Sequence, residues 1–169
     1  MIDIDRPLID AQKKGLLLDT NLLVLYLVGQ TEEGMVEKHK RTSQYTVDDY
    51  RLLLKIVHSQ SRLMTTPHVL AEVSNLVAFQ GRLQNRFHDL FEANIQIFES
   101  ERYFSGKEIC GSPAFRKLGV TDTGIVLLST EGIVVMTDDL DLHLWLNQKG
   151  AASINFTHLR RWPLRRTMN

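Results

Sequence analysis

The chain has 169 residues, of which 43% are hydrophobic and 24% charged, and its 20 basic and 20 acidic residues give a formal net charge of zero. This composition excludes a disordered or fibrous protein and predicts one globular domain over residues 1–169. Because the net charge is zero, the protein as a whole does not attract polyanions as a basic protein does. The single Cys110 excludes an internal disulfide, and the apolar run 22–28 is far shorter than the ~20 residues of a membrane span. We therefore expect a soluble protein of the cytoplasm that does not contact a membrane.

Predicted strands and helices alternate along the chain. In chain order they are strand 16–18, helix 21–28, helix 47–58, strand 63–65, helix 67–79, a helix within 82–104, helix 123–130, strand 133–136, helix 140–148 and strand 153–156. Loops are expected at 29–34 and 105–113, where glycine, proline and polar residues gather. The alternation predicts an α/β fold, a three-layer α/β/α domain with a central, mostly parallel sheet.

Acidic residues stand where these elements begin and end. Asp19 directly follows the first strand and precedes a helix, so it is suited to cap that helix. Glu72 falls on the border of the apolar stripe of helix 67–79, where a side chain can face a cleft. Asp122 lies at a predicted helix start, where capping alone would also explain it.

A further acidic cluster follows the strand at 133–136. It consists of Asp138, Asp139 and Asp141, and the helix at 140–148 needs only one of them as its cap. In an open α/β sheet, ligands bind outside the carboxyl ends of the strands, which is where Asp19 and this cluster are expected. Converging carboxylates raise one another's pKa unless a cation neutralises them, and oxygen ligands without Cys or His favour Mg²⁺ or Mn²⁺. The pattern predicts a divalent metal site suited to phosphodiester hydrolysis.

Four segments carry a resemblance to a known family. They are LLLDTNLLVLYL at 16–27, PHVLAEVSNLV at 67–77, LGVTDTGIVLLS at 118–129 and VVMTDDLDLHLWL at 134–146. In this order they resemble the motifs of the PIN-domain nucleases, which include the VapC-type toxins of toxin–antitoxin pairs. The resemblance covers a core of about residues 15–156 and implies a PIN-like fold.

The resemblance also implies an activity and the residues that carry it. The protein would be a metal-dependent endoribonuclease that hydrolyses RNA, as the toxin of a toxin–antitoxin pair or as a stand-alone nuclease. An antitoxin protein and a second copy of the chain are the partners that it suggests. The implied catalytic and metal-binding residues are Asp19, Glu72, Asp122 and Asp139, with Asp141 as an auxiliary ligand, Asn21 and Thr137 orienting the ligands, and Asp138 as the alternative to Asp139.

The segment 158–169 forms a basic C-terminal tail. Four arginines and a tryptophan without any acidic residue could contact phosphates and stack on a base: Arg160, Arg161, Trp162, Arg165 and Arg166. A merely solvated terminus explains the same residues.

Two other functions compete with the nuclease. Phosphatases of the Asp-dependent class need a second aspartate two residues after the first, where this chain has Asn21. A non-catalytic PIN-fold module that binds RNA or a protein would be expected to have lost one or more of the four acids, yet all four positions are filled. The residues do not distinguish RNA from single-stranded DNA, or one metal ion from two.

Overall fold

A five-stranded parallel sheet lies at the centre of the structure, a computed structural model that describes residues 5–98 and 100–166. Its strands are β1 (Leu16–Leu18), β2 (Leu63–Thr65), β3 (Ser100–Glu101), β4 (Val134–Thr137) and β5 (Ser153–Asn155). Their order across the sheet is β3-β2-β1-β4-β5, and every neighbouring pair is parallel. The predicted α/β fold with helices flanking a parallel sheet is confirmed.

Helices occupy the connections between the strands, and one helix precedes β1 and another follows β5. They are α1 (Asp5–Lys14), α2 (Thr20–Thr31), α3 (Val47–His58), α4 (Pro67–Leu76), α5 (Arg82–Ile97), α6 (Gly106–Gly111), α7 (Phe115–Ser129), α8 (Leu140–Gln148) and α9 (Phe156–Arg166), with a short 3₁₀ helix at Glu33–Met35. Within residues 5–98 and 100–166, no helix has the length and apolar character needed to cross a membrane.

The helix α2 is buried on nearly all sides. Only Asn21 and Gln30 among its twelve residues escape the buried class, because α2 contacts β1 and packs against α3, α4 and α5. A helix that is apolar all round belongs in a protein interior. This explains the apolar run at 22–28 and fixes the start of α2, next to Asp19, firmly in the core.

Side-chain caps explain the helix boundaries that were predicted correctly. Thr46 accepts a hydrogen bond from the backbone of Asp49, and Asp49 accepts one from the backbone of Thr46, a capping box that begins α3. Thr66 caps α4, with Pro67 at its first position. The predicted bounds 47–58 and 140–148 are confirmed.

Several local predictions were wrong. The loop expected at 29–34 is the last turn of α2 followed by the 3₁₀ helix, and the loop expected at 105–113 contains α6, whose capping box pairs Ser105 with Glu108. Helix 67–79 ends at Leu76, and strand 153–156 ends at Asn155 because α9 begins at Phe156. Helix 123–130 is the second part of the longer α7. The helices α1 and α9 and the strand β3 were not predicted.

The contact between Gly29 of α2 and Tyr50 of α3 gives a test of this packing. A Cβ atom added to Gly29 would overlap the Tyr50 ring, which is itself buried. We expect Gly29→Ala to lower the free energy of unfolding by about 1–3 kcal/mol, because a packed core must shift to admit the methyl group. Chemical denaturation at one temperature measures the change.

The matched control is Gly111→Ala at the end of α6. A Cβ atom at Gly111 would have nothing within 4 Å, so this variant should be neutral or up to about 1 kcal/mol more stable. Equal stability of the two variants would contradict the close packing of α2 on α3.

Candidate functional site

Asp19 is fixed at the point where β1 ends beside β4. Its backbone N–H donates to the carbonyl of Met136 at 3.0 Å, which continues the parallel ladder by one residue. One carboxylate oxygen accepts from the N–H of Leu22 at 2.8 Å, and the other accepts from the hydroxyl of Thr137 and from the N–H of Asp138 at 3.3 Å. The side chain is 3% exposed. These donors hold the Asp19 carboxylate in one orientation.

Glu72 reaches the same place from α4. The hydroxyl of Thr20, the first residue of α2, donates to Glu72 Oε2 at 3.0 Å. Because Thr20 directly follows Asp19 and α2 packs against α4, this hydrogen bond places the Glu72 carboxylate beside Asp19. The prediction that Glu72 lies on the border of an apolar face agrees with its half-buried position.

Asp122 comes from α7, just after a break in that helix. Gly119 has φ 79° and ψ −171°, a conformation that suits glycine and interrupts the helix. Asp122 therefore lies in the first turn of the second segment, close to the predicted helix start. The helix α7 packs against both α4 and α8.

Asp139 begins α8. Its side chain accepts a hydrogen bond from the N–H of Leu142 at 3.0 Å, and its own N–H donates to the hydroxyl oxygen of Thr137 at 2.9 Å. Thr137 thus contacts both Asp19 and Asp139, and it is fully buried. The expected orienting role of Thr137 fits these two hydrogen bonds.

The four carboxylates line one polar cleft of about 360 Å³. Its walls are formed by Asp19, Thr20, Asn21, Glu72, Leu118, Gly119, Val120, Thr121, Asp122 and Asp139. The structure therefore brings together the four acids that the sequence singled out as catalytic. We refer to this space as the acidic cleft.

Burial and mutual repulsion make the acidic cleft electrostatically costly. Burial, reinforced by the charge of Asp138, raises the pKa of Asp19 to about 8 even though the Thr137 hydrogen bond opposes the rise. Burial also raises the pKa of Asp122 to about 6, with further contributions from the charges of Asp139 and Glu72. A cation in the cleft would favour the ionised carboxylates and remove this cost.

The donor set of the cleft fits Mg²⁺ or Mn²⁺ in its chemistry. All four groups are carboxylates, the oxygen ligands that these hard cations prefer. Among the described residues, no three His, Cys, Asp or Glu side chains are close enough together to enclose an ion. Mg²⁺ commonly retains several waters and binds through one or two carboxylates, so an open cleft lined by four carboxylates suits a hydrated ion.

Asp138, which directly follows β4, is held by a different set of side chains. Its carboxylate accepts hydrogen bonds from the Tyr45 hydroxyl, from Gln44 Nε2 at 3.4 Å and from Asn21 Nδ2 at 3.3 Å. Burial, together with this hydrogen bond to Asp138, raises the pKa of Tyr45, which keeps the phenol protonated as a donor. Asn21 therefore orients Asp138 rather than Asp19. The sequence had not singled out Tyr45.

Asp141 is not brought into the cleft. Its carboxylate lies 3.3 Å from Lys117 Nζ in an exposed ion pair, and it does not contribute to the cleft walls. The role of Asp141 as an auxiliary ligand stays a prediction.

The basic tail is largely helical, and its first arginine has partners within the protein. Arg160 Nη1 lies 3.0 Å from Asp49 Oδ2, and the guanidinium lies 5.3 Å from the centre of the Tyr45 ring. Arg161 is exposed. The side chains of Trp162, Arg165 and Arg166 lie outside the described residues. The contacts of Arg160 stabilise α9 against α3 and the segment before it.

A larger cavity, of about 650 Å³, lies at the opposite edge of the sheet. Lys14, Gly132 and Ala152, which come just before β1, β4 and β5, are among its lining residues, and none of the lining residues is acidic. Ligands of open α/β sheets bind at the carboxyl ends of the strands. We therefore take the smaller acidic cleft as the candidate functional site.

Comparison with protein families, curated proteins and solved structures finds no significant match. The resemblance to PIN-domain nucleases therefore rests on the four motifs.

The raised pKa of Asp19 predicts how stability depends on pH in the presence of EDTA. Between pH 3.8 and about 8 the folded protein holds a proton on Asp19 that the unfolded chain has lost, so the contribution of Asp19 to stability falls as pH rises. Asp19→Asn removes this contribution and keeps the helix cap, because Asn caps as well as Asp. We expect the variant to be more stable than wild type by roughly 1–3 kcal/mol at pH 7.5 and to lose less stability between pH 5 and about 8.

Denaturation curves at several pH values, with and without Mn²⁺, measure this effect. Mn²⁺ should stabilise the wild-type protein and have little effect on Asp19→Asn. The control is Asp48→Asn on α3, whose side chain is 92% exposed and which should follow wild type. If the free energy of unfolding changed with pH in the same way in the wild type, Asp19→Asn and Asp48→Asn, the electrostatic cost at Asp19 would be contradicted.

Proposed function

We propose that the protein is a divalent-metal-dependent endoribonuclease that hydrolyses the phosphodiester bonds of RNA. The observation that carries the proposal is the convergence of Asp19, Glu72, Asp122 and Asp139 on one cleft at the carboxyl edge of the sheet. The PIN-like order of the motifs supports the same activity.

One or two of the four carboxylates would bind a hydrated Mg²⁺ or Mn²⁺ ion directly, and the others would contact its waters. When bound, such an ion supplies positive charge to the phosphate and lowers the pKa of a water molecule that attacks it. The protein's own part is to keep the ligands oriented. Thr137 and two backbone N–H groups fix Asp19, and Thr20 fixes Glu72.

The charge of the cleft sets an order of events. Four carboxylates repel an RNA phosphate, and the protein as a whole has no net positive charge to compensate. The cation must therefore neutralise the cleft before the phosphate can enter. This order also explains why burial of Asp19 is tolerated, since its cost is offset in the metal-loaded protein.

A non-catalytic PIN-fold module that binds RNA or a protein is the alternative. Such a module gains nothing from a buried carboxylate with a raised pKa, which costs folding free energy. The presence of all four acids in one cleft therefore favours catalysis. The toxin role, an antitoxin partner, a homodimer and a cytoplasmic location stay predictions from the sequence.

The activity test uses single-stranded RNA with Mg²⁺, Mn²⁺ or EDTA. We expect cleavage in either metal and none in EDTA. Asp19→Asn should reduce the rate by more than about 100-fold, because even residues that only orient a metal ligand contribute about 10–100-fold. The matched control is Asp141→Asn, which removes an acid that does not line the cleft. It also removes an exposed ion pair worth about 0–1 kcal/mol, so the cleavage rate of this variant should differ from that of the wild type by less than roughly fivefold.

The same assay with single-stranded DNA determines whether the 2′-hydroxyl is required. Absence of cleavage on every substrate, together with absence of divalent-ion binding, would exclude the nuclease and favour the non-catalytic module. Equal losses in Asp19→Asn and Asp141→Asn would show that the cleft is assigned to the wrong carboxylates.

A further inference from the structure

Tyr103 is a large aromatic residue that the fold leaves exposed. Its accessible fraction is 65%, and its ring is nearly parallel to the His68 ring, with 6.5 Å between ring centres and 17° between planes. Aromatic pairs in this range contribute modestly to stability. Such a pair can hold an exposed ring in one orientation, with one of its faces available.

Tyr103 lies just past the carboxyl end of β3, at the same edge of the sheet as the acidic cleft. It follows β3, which pairs in parallel with β2, and the N–H of Arg102 donates to the Thr65 carbonyl at 3.0 Å just past the paired residues. The carboxyl ends of parallel strands share one edge, and β3 lies two strands from β1. At about 4.8 Å between strands, this is roughly 10 Å from the end of β1 at Asp19.

His68 connects Tyr103 to the two helices that carry Glu72 and Asp122. It belongs to the first turn of α4, four residues before Glu72, which is about 6 Å along the helix axis. Its Nδ1 atom is 3.6 Å from the place that a Cβ atom on Gly124 would occupy, and Gly124 is two residues from Asp122. Within the described part of the chain this buried Nδ1 atom has no hydrogen-bond partner.

The lysine beside the cleft is committed to an ion pair. Lys117, which precedes the cleft residue Leu118, lies 3.3 Å from Asp141. Arg102, which precedes Tyr103, is paired with Glu131 at 2.7 Å. Neither cation can bind a phosphate without giving up this partner. Stacking on an aromatic ring holds single-stranded nucleic acid without depending on net charge.

We propose that Tyr103, supported by His68, is a stacking platform for one nucleobase of the single-stranded RNA that enters the acidic cleft. This inference rests on the proposed nuclease function and names a base-binding position next to its cleft. Stacking tolerates any base, because every base has an aromatic face. The platform therefore contributes affinity and position along the strand rather than strict sequence preference.

The test measures binding of fluorescein-labelled single-stranded RNA by anisotropy. All proteins keep Asp19, so that a cation can occupy the cleft, and Ca²⁺, which also takes carboxylate ligands, replaces Mg²⁺. A gel of each sample checks that the RNA stays intact. Adding Tyr103→Ala should weaken binding roughly 5- to 100-fold, the range for loss of one stacked base, whereas Tyr103→Phe keeps the ring and should bind within about twofold of the parent. Ile97→Ala, a truncation of a 67% exposed apolar residue at the end of α5, is the matched control and should have no effect.

A set of RNAs with one abasic nucleotide at successive positions identifies the stacked base. At one position, removal of the base should weaken RNA binding by the parent protein. Removal of the same base should not weaken RNA binding by Tyr103→Ala, which has already lost the stacking ring. Three results would overturn the platform. Tyr103→Ala and Ile97→Ala could bind the RNA equally well, the weaker binding of Tyr103→Ala could be the same whichever base is removed, or the parent protein could fail to bind the RNA.

Cleavage of the same RNA by the wild-type protein in Mg²⁺ separates the two proposals. If RNA binds with the Tyr103 dependence described but is never cut, the platform stands and the nuclease fails. If RNA is cut in a metal-dependent manner and Tyr103→Ala has an unchanged KM, the nuclease stands and Tyr103 has another role, such as contact with a protein.

Discussion

The parallel pairing of β1 with β4 determines where the acidic cleft lies. Leu18 is opposite Met136 in this pairing, so Asp19, the residue after β1, lies beside Thr137, the last residue of β4, and forms a hydrogen bond with it. A shift of register by one residue would turn the side chains of one strand to the other face of the sheet. Both strands are buried along their whole length, which makes such a shift costly. The apolar core therefore fixes the geometry of a polar site.

Two of the carboxylates both cap a helix and line the acidic cleft. Asp19 caps α2 and Asp139 caps α8, and both also line the cleft. The positive ends of two helix dipoles consequently meet near the cleft and partly offset its negative charge. Capping alone explains either residue in isolation, as the sequence indicated. The structure shows that capping and lining the cleft are compatible in the same side chain.

Local signals account for what could be predicted from the sequence. The buried strands appear as continuous apolar runs, and α3 is bounded by a visible capping box at Thr46 and Asp49. The same kind of signal at Ser105 and Glu108 was overlooked because the surrounding glycines suggested a loop. The links of Tyr45 to Asp138 and of Thr20 to Glu72 join residues 93 and 52 positions apart, and such tertiary contacts leave no local pattern. The pairing of Arg160 with Asp49, 111 positions away, was not visible in the sequence for the same reason.

The separation of β1 from β4 along the chain also has a consequence for biosynthesis. Leu16 pairs with Val134, so more than a hundred residues must be synthesised before the central strand finds this neighbour. Pairing over such a separation is slow, because the entropy of closing the intervening loop is lost before the contact forms. A nascent chain therefore has no acidic cleft until β4 has left the ribosome. Any ligand of the cleft can bind only after that strand has emerged.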